Sequence, residues 1–118
     1  MQPDRDELRI ECILESMNRL EQWFSSIDKG SFSKEKDEMR FDATLMKLVF
    51  IGELSSKMTK ATQKENPEIP WRQMKDLRNV IAHEYLGVDA TQIFLIVTSE
   101  LPEIKPKLET LLEKIRTF

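Results

Sequence analysis

Leu45-Met46-Lys47-Leu48-Val49-Phe50-Ile51-Gly52-Glu53-Leu54 is the stretch whose reading decides the fold, because its apolar residues surround most of a helical circumference instead of forming one stripe. A helix of that kind needs partners on more than one side. The segment that contains it runs from about Ser33 to Gln63 and begins polar, from Lys34 to Glu38. Either the chain's own helices wrap it, or one of its faces meets a second copy. Gly52 in its middle lowers helix propensity by roughly 1 kcal/mol relative to Ala, and leaves room for another helix backbone to approach closely. Lys57, Lys60 and Lys64 follow at near-helical spacing and read as a solvated face rather than as a stripe that tracks RNA.

Outward from this segment the same periodicity continues. Residues 4 to 27 place Ile10, Ile13, Leu14, Met17, Leu20, Phe24 and Ile27 at spacings of three and four, with Asp4 as candidate N-cap and Cys12 in the apolar pattern. Gly30 in Asp28-Lys29-Gly30-Ser31 is placed to close this helix in the left-handed conformation. Downstream, the prolines in Glu65-Asn66-Pro67-Glu68-Ile69-Pro70 exclude continuous helix and deliver Trp71, which begins a third helix reaching about Glu84 and ending at Gly87. Asp89 can cap a fourth, Ala90 to about Glu100. Its β-branched run Ile93 to Val97 suits a strand, but no other segment offers a partner strand. Pro102 breaks or kinks the path, and Ile104, Leu108, Leu111, Leu112 and Ile115 line one face of the last helix. The pattern predicts an all-α fold: a single domain over residues 1–118, built as a bundle of four to five helices.

Composition narrows the function. The 118 residues carry 18 Lys and Arg against 21 Asp and Glu, so a global basic field is absent and any contact with nucleic acid is local. One cysteine closes no intramolecular disulfide, and the polar start Met1 to Glu7 is unlike a signal peptide, which together point to the cytoplasm. No apolar run approaches the roughly 20 residues of a membrane span. The lone Cys and lone His, far apart, do not make a zinc site. With glycine at three positions only, no phosphate-cradling Gly-rich loop exists, and no familiar serine-nucleophile signature is present.

Chemistry concentrates in Arg78-Asn79-Val80-Ile81-Ala82-His83-Glu84-Tyr85, which holds the chain's only histidine and only tyrosine. Arginine keeps its charge and presents a fork of donors suited to phosphate, while histidine titrates near neutrality. On a helix Asn79 and His83 share a face, whereas Arg78 and His83 differ by about 140° in direction, so local unwinding near Tyr85 would let them converge. Arg72, Lys75 and Arg78 recur every three residues as a basic strip for a phosphate backbone. RNA cleavage without a metal needs a general base, a general acid and a cation beside the phosphorane charge. His83 suits the first two roles and Arg78 the third; a two-fold dimer would supply a second histidine. The competing structural reading is that His83 and Tyr85 end a helix with hydrogen-bonded tips above Asn79.

Pro70-Trp71, Arg78-Asn79, His83-x-Tyr85 and Val88-Asp89, preceded by Gly52-Glu53, occur in the order found in the HepT-like branch of the HEPN superfamily, which the chain resembles over nearly its whole length. That family is the toxin half of HEPN and minimal-nucleotidyltransferase toxin–antitoxin pairs. The resemblance implies a dimer whose two motifs face one another across a cleft. It also implies a metal-independent endoribonuclease with no cofactor, in which Arg78 and His83 are catalytic, Asn79 supports them and Tyr85 helps to position RNA, beside the RNA contacts that the basic spacing assigns to Arg72 and Lys75. The partner it implies is a nucleotidyltransferase antitoxin that transfers AMP to Tyr85 and so blocks the cleft with a bulky anion. The alternative within the family is a non-catalytic helical module that binds the transferase or a nucleotide. One position departs from the pattern: Asp76 stands where many relatives carry glycine, which puts an acidic group near the RNA path and close to any helix crossing.

Overall fold

The computed structural model describes residues 3–83 and 87–117, all helices and connecting turns with no strand among them. Helix α1 spans Pro3–Phe24, α2 Glu38–Ser56, α3 Lys60–Glu65, α4 Trp71–His83, α5 Ala90–Leu95 and α6 Leu101–Arg116. A 3-10 turn, Lys29–Ser31, separates α1 from α2, and a π-helical turn, Ile96–Glu100, joins α5 to α6.

The long second segment of the sequence divides. Asp37 caps α2 by accepting from the Arg40 amide at 3.2 Å, and Thr59 starts α3 by accepting from the Thr62 amide at 3.3 Å. The break comes from α1. Asp6 is fully buried, and its carboxylate accepts from the Thr59 amide (3.1 Å) and from the hydroxyls of Thr59 (2.6 Å) and Thr62 (2.7 Å), while Arg9 pairs with it at 2.9 Å. Burial alone pushes this carboxyl up; the Thr59 and Thr62 hydroxyls, the Thr59 amide and Arg9 outweigh it and hold it below the usual aspartate value. A side chain of one helix thus caps another that starts more than fifty residues later.

Helix α1 already includes Pro3 and Asp4, so its N-cap is not Asp4. No described glycine takes a positive φ, and Gly30 lies inside the 3-10 turn capped by Asp28 instead of closing α1 left-handed. Cys12 is half-buried. Lys57, Lys60 and Lys64 are exposed, as a solvated face requires.

The core joins Ile10, Ile13, Met17 and Leu20 of α1 to Leu48 and Ile51 of α2, Met74 of α4, Ile93 of α5 and Leu108 of α6. Phe24, Phe32, Phe41 and Phe94 cluster at one end, with ring centroids 4.9 to 6.4 Å apart. The β-branched run after Asp89 is helical. Asp89 caps it through the Thr91 amide at 2.9 Å, and the π-turn precedes Pro102, whose missing N–H cannot continue the α ladder. Pro102 therefore sits in the first turn of α6, while Pro106 is accommodated inside it.

Helix α2 packs most extensively on α4 and, on another side, on α1. One of its faces stays uncovered: Met39 is 84%, Met46 68% and Phe50 41% exposed, at spacings of seven and four that align them in one stripe. The chain thus wraps its most apolar helix on two sides only. No helix among the described residues is long and apolar enough to cross a membrane.

Candidate active site

The helix that carries the motif is set in place at its first residue. Asn66, buried in the connector, donates to Thr62 O (2.8 Å), its own carbonyl accepts from the Trp71 indole (3.0 Å), and Lys114 of α6 reaches its side-chain oxygen (3.0 Å). Pro70 then offers its carbonyl to the Met74 amide at 3.0 Å, opening α4. Trp71, Met74, Leu77 and Ile81 face the core, which turns the opposite side of the helix to solvent.

Gly52 determines how closely α2 and α4 cross. A Cβ at that position would lie 2.7 Å from the backbone nitrogen of Arg78, 3.0 Å from its Cβ and 3.2 Å from Met74 O, so only glycine fits without displacing backbone. The next residue, Glu53, then reaches Arg78: Nη1 donates to Oε1 at 2.8 Å and to Oε2 at 2.9 Å. Among the described residues these are the only partners of the Arg78 guanidinium, whose side chain is 45% exposed. Its remaining N–H groups have no partner among the described residues, on a side chain steered by a carboxylate.

The other predicted residues separate. Asn79 is exposed one turn before His83, whose backbone is the last of α4 to be described and stands at the matching register position. The His83 side chain, and all of Glu84 and Tyr85, lie outside the described residues, so convergence with Arg78 and the expected helix end near Gly87 are not described. The basic strip does not line up. Each three-residue step turns about 60° round the helix, carrying the series from Arg72, exposed on the α5 side, through Lys75, bound to Gln63 Oε1 of α3 at 3.0 Å, to Arg78 against α2. Asp76, expected near the helix crossing, lies on the other flank, where it lines a cleft between α4 and α5. Sequence reasoning used Glu53 only as part of a motif order; its role as the arginine's partner was signalled by the glycine beside it. No group of three or more His, Cys, Asp or Glu among the described residues is arranged to hold a metal ion.

The family model described as "Ribonuclease HepT-like" matches residues 13–111. "Putative RNase MJ1380" of Methanocaldococcus jannaschii is 34% identical over 97 residues, covering 82% of this chain and 87% of that protein. "Probable ribonuclease HepT" of Thermococcus cleftensis is 32% identical over 102 residues, covering 86% of this chain and 91% of its relative. No solved structure matches. With the family model spanning most of the helical bundle and both relatives aligned along nearly their whole lengths, the chain belongs to the HepT-like ribonuclease family of HEPN domains.

Proposed function

We propose that this protein is the ribonuclease toxin of a toxin–antitoxin pair, cleaving RNA within the chain by metal-independent transphosphorylation. The observation that carries the reading is the exposed guanidinium of Arg78, on the motif helix of a HepT-like ribonuclease domain, steered by Glu53 of α2. His83 takes the proton from a ribose 2′-OH, whose oxygen attacks the adjacent phosphorus. The bond to the 5′-oxygen breaks as that oxygen receives a proton, leaving a 2′,3′-cyclic phosphate and a 5′-hydroxyl. Arg78 stabilises the charge that develops on the phosphorane oxygens, with Asn79 in support. Arg72, Lys75 and Tyr85 hold the RNA on either side.

One chain has one histidine, so the acid is the His83 of a second copy. The uncovered Met39, Met46 and Phe50 stripe supports such a dimer: continued by three residues it arrives at Glu53, so covering it would bring two Arg78–Glu53 pairs toward a common groove. The antitoxin of this reading is a nucleotidyltransferase that joins AMP to the Tyr85 oxygen and releases pyrophosphate from ATP. The added phosphate stands two residues from His83 and repels RNA. Expression of the chain alone should slow growth, and Arg78→Ala, His83→Ala or the co-expressed transferase should each relieve it. Undiminished toxicity in both variants removes the catalytic assignment.

A further inference from the structure

The flank of α4 opposite Glu53 holds a cleft of about 520 Å³, within the usual range of small-ligand sites. Leu77 and Ile81 of α4 line one side, and Ile93 with Ile96 line the other, so aliphatic surface borders the cleft on both sides. No aromatic side chain is among the described residues that line it, so selectivity there comes from the edges of a ring and not from stacking.

Two charged residues stand at the mouth. Arg72 and Asp76 are one helical turn apart, with Cβ atoms about 5–6 Å from each other, yet neither has an ion pair or hydrogen bond among the described residues. On the far wall, Glu100 Oε1 accepts from the Gln73 side-chain amide at 2.5 Å. Asp76 is thus a carboxylate at the cleft mouth with no partner among the described residues, and Arg72 is the one arginine among the described lining residues.

We propose that this cleft is a guanine-binding subsite for the RNA, an inference that rests on the ribonuclease reading. Guanine presents O6 and N7 as adjacent acceptors, the pair that arginine contacts in bidentate fashion. On its neighbouring edge it presents N1–H and an amino group, two parallel donors that match one carboxylate. Adenine and cytosine offer an amino group beside an acceptor. Uracil offers a single N–H between two carbonyls, which a carboxylate repels. A negative side chain at the mouth also favours a neutral base there and leaves the phosphate to the outward crest of α4. That crest continues through Asn79 to His83, about 10 Å along the axis from Asp76, so a base held in the cleft belongs to a nucleotide close to the scissile phosphate.

The test is calorimetric titration of the full chain with GMP, AMP, CMP and UMP, for wild type, Asp76→Asn and Gln92→Trp, beside sequencing of the ends cut from random RNA. Both substitutions fall on exposed helical positions, Gln92 being at the cleft mouth where indole would fill it. Wild type should bind GMP at least about tenfold more tightly than UMP, Asp76→Asn should reduce that preference to within about twofold, and Gln92→Trp should abolish it. Guanine should be enriched next to the cut for wild type alone. Equal binding of the four nucleotides by wild type, no binding of any, or a GMP preference that survives Asp76→Asn overturns the subsite. RNA cleaved without guanine enrichment, alongside equal nucleotide binding, removes the subsite and leaves the ribonuclease reading standing. Absence of all cleavage removes that reading, while the titration still decides whether guanine is bound.

Discussion

The Cα of Gly52 lies so near Arg78 that a Cβ built on it would stand 2.7 Å from the Arg78 backbone nitrogen. The neighbour is helix backbone, which cannot rotate aside, so the contact is relieved only by moving α2 away from α4. Gly52→Ala gains about 1 kcal/mol of helix propensity, whereas overpacking at a fixed crossing costs about 1–3 kcal/mol. Thermal melting should show a variant less stable than wild type, with RNA turnover reduced beyond what the lost folded fraction explains. A variant that melts higher and cleaves normally would contradict a crossing that only glycine allows.

Glu53 acts through that crossing. Its pair with Arg78 is partly exposed, and such pairs contribute about 0–1 kcal/mol to stability. Glu53→Gln should therefore leave the melting temperature almost unchanged while lowering kcat several-fold, because the guanidinium loses its orientation. Steady-state kinetics on a short RNA separate this from weaker binding: KM should change little, and Glu53→Asp should recover part of the rate.

Stability at low pH should depend on Asp6. Its folded pKa is depressed, so its contribution is complete above the unfolded value near 3.8 and is lost as pH falls through the lower folded value. Asp6→Ala leaves the Thr59 amide, two hydroxyls and Arg9 without their acceptor, which should cost about 2–4 kcal/mol at neutral pH. Urea unfolding at pH 7 and at a pH well under 3.8 checks both points: the gap between wild type and Asp6→Ala should be wide at pH 7 and should narrow as pH falls through the lowered folded value.

Much of the fold was legible because apolar spacing follows the helical period whatever the tertiary context. Segments α1, α4 and α6 show the pattern directly, and Pro70 and Asp89 mark their helix starts through chemistry local to the backbone. The break between α2 and α3 was not legible, since it is made by Asp6, a residue remote in sequence whose burial no local pattern reveals. The π-turn was likewise signalled only as a disturbance around Pro102. At the site, the spacing of Arg72, Lys75 and Arg78 suggested one strip, but a three-residue step drifts round the helix and distributes them over three neighbours. Gly52 announced a close helix approach, and its target was Arg78 itself.

The uncovered face of α2 makes a prediction about assembly. Met46→Asp places a charge in the middle of the Met39, Met46 and Phe50 stripe, where the chain itself buries little. Sedimentation should then show a monomer that melts within about 1 kcal/mol of the wild-type chain's intrinsic stability. If acid and base come from different copies, as proposed, RNA cleavage should fall in parallel with dimer content. A monomer with full activity would contradict the shared site.

Cleavage of total RNA in EDTA, comparing wild type with His83→Ala after circular dichroism has established that both are folded, tests the catalytic reading most directly. Wild type should release fragments ending in 2′,3′-cyclic phosphate and beginning with 5′-hydroxyl, and His83→Ala should release none. Equal cleavage by the two proteins, or none by either, would contradict a metal-independent ribonuclease centred on His83.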